Sequence, residues 1–293
     1  MSDFEWYHGI TILTLISILC YINYEDPFDF PEFHGDDLWD DDFLRQCMIP
    51  INEPSGLSCY TYRVEFEIVK VEVLNLDPIL LIYHQFASKP EIKRFLTDAE
   101  TKEMFSLKVY RGHGNESVTR HRLANGTSFE HEEGRAVGAL FRKMKKSIPA
   151  VDFGSSELWQ VLSYLPGGHY VPHHDYYEYE SEDHWDQIMK DYGNRFATVL
   201  LVLKTAKEGG ETVYPLLQRT ITPKVGDVLF WTNLDRQGKG NVNSLHGACP
   251  ITDGEKIAAT LWIRERDQQM MGSNDGSKLF DVNELTQPEF EDA

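Results

Sequence analysis

The stretch Tyr164-Leu-Pro-Gly-Gly-His-Tyr170-Val-Pro-His173-His174-Asp175-Tyr-Tyr177 decides how the rest of the chain is read. On an extended strand, residues i and i+2 point to the same face. His173 and Asp175 therefore present an imidazole and a carboxylate side by side, while His174 faces away. A third ligand has to come from another strand, and the candidate is His246 in Asn243-Ser-Leu-His246-Gly-Ala-Cys249-Pro. Two imidazoles and one carboxylate on one face of a metal leave its other positions open, which suits non-haem Fe(II) in oxygen chemistry. A zinc site with three N/O ligands is the alternative, and a bare His-x-Asp also occurs in solvated turns.

Lys256 lies ten residues after His246 and opens the run Lys256-Ile-Ala-Ala-Thr-Leu-Trp262-Ile. An ammonium in a β-rich core is costly unless an anion meets it. That anion is either a protein carboxylate or the carboxylate of a cosubstrate. 2-Oxoglutarate, able to chelate iron at one end and pair with Lys256 at the other, has the required shape.

Short β-rich runs surround these residues: Leu158–Tyr164, Tyr170–Asp175, Ala197–Leu203, Glu211–Tyr214, Asp227–Thr232 and Lys256–Ile263. Gly, Pro or acidic turns bound each one, and the set predicts a β-sandwich or jelly roll. Ahead of Pro149 the period changes. Tyr62, Val64, Phe66 and Ile68 alternate with charged residues and predict one half-buried strand. Thr97-Asp-Ala-Glu100 reads as a capping box opening a short helix that holds Met104 and Phe105. Val137, Leu140, Phe141, Met144 and Ile148 recur at helical spacing, so Glu132 to Ser147 is read as an amphipathic helix covering a sheet. Residues 25–60 form an acidic leader without regular period, and residues 268–293 a polar, mobile tail. Glu178–Asp191 is either an acidic lid or a solvated loop.

The chain has 293 residues and a formal charge of −19, with 41% hydrophobic and 12% aromatic residues. That composition describes a folded globular protein. The charge excludes a nucleic-acid partner, because duplex binding needs a basic face. The one basic cluster, Arg142, Lys143, Lys145 and Lys146, falls on the solvated side of a helix.

Ile10 to Ile22 is an apolar run of 13 residues, short for a membrane span of roughly 20. It has the length of a signal-peptide core, although Asp3 and Glu5 precede it, and residues 1–24 are read as a signal peptide or short signal anchor. Sequons at Asn115 and Asn125 agree with passage through the endoplasmic reticulum lumen and secretory pathway. Of the four cysteines, Cys47 and Cys59 flank a loop with Pro50, Pro54 and Gly56 that can close as a disulfide, leaving Cys249 unpaired.

From about Cys47 to Asp267 the chain resembles the catalytic domain of the collagen prolyl 4-hydroxylase α subunit. The resemblance rests on five ordered motifs: Tyr164–Asp175; Asn194-Arg195-x-Ala-Thr198; Gly209-Gly-Glu-Thr-Val-Tyr-Pro215; Pro223-Lys-x-Gly226 leading to Phe230-Trp231-x-Asn233; and His246-x-Ala-Cys249-Pro with Lys256 and Trp262. It implies an Fe(II)/2-oxoglutarate dioxygenase over residues 61–267, mainly β with flanking helices and built on a double-stranded β-helix. It implies that His173, Asp175 and His246 bind Fe(II), and that Lys256, Tyr164 and Thr198 hold the distal carboxylate of 2-oxoglutarate. Tyr170, Arg195, Trp262 and Arg264 are the implied substrate-facing residues. The reaction it implies consumes dioxygen and 2-oxoglutarate, uses L-ascorbate and hydroxylates proline in collagen-like or proline-rich polypeptides. Such chains arrive as extended polyproline II, which suits a groove lined by Tyr170, Tyr176, Tyr177 and Trp262. A protein disulfide isomerase partner, as larger relatives have, belongs to the same implication. Another peptide substrate and a non-catalytic proline-rich-peptide binding module are the rival readings.

The chain also departs from the family. After Trp262 the family has Leu-His-Glu, whereas this chain has Ile263-Arg264-Glu265. A permanent cation thus replaces an imidazole near the iron and the substrate. Ser128 stands where the family has a substrate-facing Trp, and the family's late Cys, partner of the one at Cys249, is missing.

Overall fold

The computed structural model describes residues 32–48, 58–107, 109–110, 116–117, 120–271 and 276–289. The apolar run Ile10–Ile22, residues 25–31 and the sequon at Asn115 lie outside them. The described helices are α1 (Asp41–Met48), α2 (Lys89–Ala99), α3 (Arg135–Ser147), α4 (Gln187–Tyr192) and α5 (Asn283–Thr286). The strands of the two main sheets begin with β1 (Cys59–Val64), β2 (Glu67–Leu76), β3 (Ile79–His84), β4 (Phe105–Ser106), β5 (Arg122–Leu123), β6 (Asn125–Phe129) and β7 (Trp159–Tyr164). They continue with β8 (His169–His173), β9 (Arg195–Lys204), β10 (Thr212–Tyr214), β11 (Arg219–Ile221), β12 (Val228–Thr232), β13 (His246–Ala248) and β14 (Lys256–Arg264).

The larger sheet runs β1-β2-β3-β12-β9-β14-β7-β6-β4, and the smaller runs β11-β10-β13-β8-β5. From β7 onward the chain passes back and forth between them. Strands β7, β9, β12 and β14 enter the larger sheet, while β8, β10, β11 and β13 enter the smaller one. The neighbours pair antiparallel throughout. This is the double-stranded β-helix, or jelly roll.

Period-two alternation decides which side chains meet the helices and which meet the second sheet. Along β9, Ala197, Val199, Leu201 and Leu203 share a buried cluster with Phe95 of α2 and with Val137, Leu140 and Met144 of α3. Along β14, Ala259, Leu261 and Ile263 join the same cluster. Each fully buried Leu or Phe there contributes about 1.5–3 kcal/mol. The residues in between, Thr198 and Leu200 on β9 and Lys256, Ala258, Thr260 and Trp262 on β14, line a cavity on the opposite face. The apolar half of the pattern builds the core, and the other half builds the site.

Several local expectations are corrected. The strand read through Tyr62–Ile68 is a hairpin: Val64 pairs with Glu67, and Phe66 is 96% exposed at the turn. Both arms keep the same alternation, so the turn leaves no break in the pattern. Thr97–Glu100 ends a helix instead of starting one, because the capping box sits at Ser88 and Glu91, where Pro90 suits the first turn. Met104 and Phe105 lie beyond that helix, Phe105 in β4. Helix α3 begins at Arg135 and not Glu132, and Asp98 Oδ2 accepts from the Ala136 N–H at 3.0 Å at its start.

Within the acidic leader Trp39 is buried and α1 follows it. The polar tail carries core residues. Met270 and Leu285 are buried, and Tyr83 donates its hydroxyl hydrogen to the Leu285 carbonyl at 3.1 Å.

The cysteine pairing also differs from expectation. Cys47 is bonded to Cys249, 202 residues away, and Cys59 is a free, exposed thiol. Helix α1 lies on the smaller sheet, where Thr220 donates to the Gln46 carbonyl at 2.7 Å. Cys47 and Cys249 share a buried cluster there with Trp39, Val171 and Val213. Cys59 begins β1, at the far edge of the larger sheet.

Candidate metal and cosubstrate site

His173 ends β8 and His246 opens β13, and the two are register partners across neighbouring strands of the smaller sheet. Asp175 follows His173 at i+2. The three side chains bring their ligand atoms within 4.8 Å of one another. His173 Nε2 lies 3.5 Å from Asp175 Oδ1, and His246 Nε2 lies 3.5 Å from Asp175 Oδ2. Each imidazole lies 2.9 Å from a carbonyl through Nδ1, His173 from Val171 and His246 from Ser244. Donation from Nδ1 leaves both Nε2 lone pairs facing the carboxylate, the tautomer that a metal ligand needs. Burial pushes His246 down to about 4, so its ring is neutral near pH 7. Burial would raise Asp175, but its His246, His173 and Arg195 neighbours hold its carboxyl far below the usual carboxylate range. A carboxylate beside two imidazoles is the donor set of an open N/O metal centre. His174 turns away, within 3.0 Å of the Val242 carbonyl.

Further contacts fix these groups. Thr198 Oγ1 donates to Asp175 Oδ2 at 2.7 Å and accepts from Asn233 Nδ2 at 2.8 Å. Its single hydroxyl hydrogen is thus given to the metal-side carboxylate. The Tyr170 ring stacks on His173 with centroids 3.5 Å apart, and Trp231 meets His246 edge-on at 4.7 Å. Asn233 and Trp231 stand inside a motif already noted, but nothing in the sequence assigns them to the ligands.

The cavity lined by these residues encloses about 470 Å³, solvent at its mouth included. Lys256 is 4% exposed inside it and donates from Nζ to the neutral Gly210 carbonyl at 2.6 Å. Among the described residues no carboxylate lies within ion-pair distance of it. Burial pushes its ammonium down to about 8, with Glu211 opposing at longer range. Tyr164 sits opposite Lys256 in the β7–β14 register. Five lining side chains carry a buried polar atom without a hydrogen-bond partner: Arg122 Nε, Thr212 Oγ1, Trp231 Nε1, Thr260 Oγ1 and Trp262 Nε1. Buried polar groups are normally paired. These orphans, together with an ammonium that lacks an anion, fit a small anionic ligand in the cavity. Sequence reasoning gave no role to Arg122, Thr212 and Thr260; Thr212 lies in the Gly209–Pro215 motif and Thr260 in the Lys256–Ile263 run, but neither pattern marks the single residue that lines the cavity.

The remaining candidates form a separate cluster beside the metal group. Arg195 donates from Nε and Nη2 to the two oxygens of Glu157 at 2.7 and 2.8 Å, and its guanidinium lies over Trp262 at 4.0 Å. Arg264 also reaches Glu157, at 2.7 Å. Ser128 accepts from Gln160 Nε2 at 2.7 Å on the adjacent strand. Tyr176 is buried, and Tyr177 lies 4.9 Å from the Arg195 guanidinium.

Residues 159–264 match the 2OG-Fe(II) oxygenase superfamily. Across 233 residues the chain is 29% identical to prolyl 4-hydroxylase subunit alpha-1 of Caenorhabditis elegans, covering 75% of this chain and 40% of that protein. Across 234 residues it is 30% identical to subunit alpha-2 of the same organism, covering 75% and 42%. The chain thus spans about two fifths of the length of these curated relatives. A viral collagen prolyl hydroxylase from Paramecium Bursaria Chlorella virus-1, solved with 2-oxoglutarate, is 26% identical and covers 63% of this chain and 95% of its own, with a TM-score of 0.49.

Proposed function

We infer that this chain, whose residues 159–264 belong to the 2OG-Fe(II) oxygenase superfamily, is a prolyl 4-hydroxylase that oxidises peptidyl proline while decarboxylating 2-oxoglutarate. The observation that carries this reading is the buried Lys256 ammonium, lacking a carboxylate partner among the described residues, in the same cavity as the His173, Asp175 and His246 donors.

In this reading His173, Asp175 and His246 would hold Fe(II), and Lys256 would hold the distal carboxylate of 2-oxoglutarate, with Tyr164 opposite it. When bound, the iron and cosubstrate supply the oxidising power: dioxygen and 2-oxoglutarate become succinate and carbon dioxide, and one oxygen atom enters a substrate C–H bond. The protein's part is geometric. The Val171 and Ser244 carbonyls fix the imidazole tautomers, and Asn233 and Thr198 hold Asp175 in one rotamer. Leu200, Ala258 and Trp231 line the cavity and limit its water. Tyr170, Tyr177 and Trp262 would face an extended peptide.

L-Ascorbate as reductant, protein disulfide isomerase as a partner subunit, glycans at Asn115 and Asn125, and an endoplasmic reticulum location belong to the same proposal. The buried Cys47–Cys249 bridge favours an oxidising compartment. A different peptide substrate is the second reading, favoured by Arg264 and Ser128.

The test is to supply the purified chain with Fe(II), ascorbate and 2-oxoglutarate, with and without a (Pro-Pro-Gly) repeat peptide. Peptide-dependent succinate with a one-oxygen mass gain on proline is expected. Succinate without peptide oxidation would keep the oxygenase and overturn this substrate. No succinate together with retained peptide affinity would support the binding module instead.

A further inference from the structure

Arg195 and Arg264 are register partners on β9 and β14. Like charges directly opposite each other repel, and here the two guanidiniums share a single carboxylate. Glu157 Oε1 accepts from Arg195 Nε at 2.7 Å and pairs with Arg264 Nη2 at 2.7 Å, while Oε2 accepts from Arg195 Nη2 at 2.8 Å. Among the described residues Glu157 is the carboxylate within ion-pair distance of either guanidinium. Asp175 is engaged by His173, His246 and Thr198. Glu265 accepts from the Asn194 N–H at 3.0 Å; burial raises its carboxyl, and the Arg266 and Arg264 charges act against that rise. Arg266 adds a further positive charge nearby. Two guanidiniums therefore share one carboxylate at hydrogen-bond distance, covered by the Trp262 and Tyr177 rings.

The two arginines are not equally placed. The Arg264 side chain is 5% exposed and donates its other edge to the Gly193 carbonyl at 2.9 Å. The Arg195 side chain is 14% exposed, and its Nη1 makes only a long 3.4 Å contact with the Asp175 carbonyl. By taking a share of Glu157, Arg264 divides that carboxylate between two guanidiniums and leaves the Arg195 Nη1 edge, beside Asp175, with donor capacity to spare. An imidazole at residue 264, neutral over most of the physiological range, would leave a balanced Arg195–Glu157 pair.

Resting on the prolyl hydroxylase reading, we propose that Arg264 is a specificity-determining positioning residue, which acts through Glu157 and Arg195 to select a polypeptide bearing an acidic side chain next to the reacting proline. Charge-assisted pairing of a guanidinium with a carboxylate is among the stronger hydrogen-bond types, and its geometry is specific. Arg264 itself touches no substrate.

The experiment compares proline peptides that differ only in Glu or Gln beside the proline, using the wild-type chain and the Arg264→Gln, Arg264→His and Arg264→Lys variants. The expected wild-type result is a KM about tenfold lower for the Glu peptide, with similar kcat and a preference that fades with added salt. Arg264→Gln and Arg264→His are expected to bring the two peptides within about twofold, and Arg264→Lys to restore part of the difference. The KM for 2-oxoglutarate should stay constant across the set. Equal KM values for the two wild-type peptides would overturn the proposal, as would a preference that survives in Arg264→Gln. Should the wild type give no succinate, the oxygenase reading fails. The selectivity claim is then decided by peptide titration followed through tryptophan fluorescence, where a tighter Glu peptide supports it and equal affinities refute it.

Discussion

Replacing Lys256 with Met is predicted to strengthen the fold and abolish the function together. An ammonium held at about 8 instead of 10.5 costs the folded protein about 3 kcal/mol while ionised. Met fills a similar volume without charge, but leaves the Gly210 carbonyl without its 2.6 Å donor, which returns about 1 kcal/mol. The net gain is about 2 kcal/mol, or roughly 4–8 °C in Tm for the ligand-free protein. The pH dependence carries the same signature. Between about 8 and 10.5 the unfolded chain keeps a proton that the folded chain has released, so wild-type stability rises across that window. Lys256→Met removes the rise. Cosubstrate binding moves the other way: losing one partner of a buried charge pair costs about 2–5 kcal/mol, a fall in affinity of roughly thirtyfold to several thousandfold. Thermal melts with Mn(II), with and without 2-oxoglutarate, read both effects. A Lys256→Met protein that is less stable than wild type, or that keeps the full 2-oxoglutarate-induced Tm increase, refutes the reasoning.

Thr198→Val is predicted to weaken Mn(II) affinity by about 10–100-fold while changing 2-oxoglutarate affinity little, because the hydroxyl serves Asp175; isothermal titration of each ligand separates these outcomes. Cys47→Ser is predicted to destabilise by about 2–5 kcal/mol in denaturant titrations, whereas Cys59→Ser is neutral and removes an exposed thiol that alkylation labels in the native protein. Leu285→Ala is predicted to cost about 2–5 kcal/mol, since its side chain is fully buried in the main core; a mobile terminus would show no change.

The parts of this protein that were legible in its sequence are those governed by short-range periodicity. The spacing of His173 and Asp175 and the alternation along Ala197–Leu203 and Lys256–Ile263 follow from a strand's two-residue repeat, and the protein folds them as that repeat requires. Alternation does not report a turn that keeps its phase, so the hairpin at Glu65 and Phe66 was read as one strand. Contacts between distant segments were also hidden. Cys47 meets Cys249 only because α1 lies across the smaller sheet. Leu285 is core only because the tail returns to Tyr83. Thr198 serves Asp175 because β9 places it beside the end of β8, a fact of register that no motif encodes. The same holds for Arg264, whose sharing of Glu157 with Arg195 needs the β9–β14 pairing.

The account rests on His173, Asp175 and His246 holding a metal that 2-oxoglutarate then chelates, with Lys256 gripping its far end. Anaerobic titration of the Fe(II)-loaded protein with 2-oxoglutarate, followed through the visible charge-transfer absorption of an Fe(II)–2-oxo acid chelate, tests this most directly. The predicted result is a saturable band in the wild type that is missing in His173→Ala and, in Lys256→Met, develops only at far higher 2-oxoglutarate concentrations. A wild-type protein without the band, or a His173→Ala protein that retains it, would contradict the account.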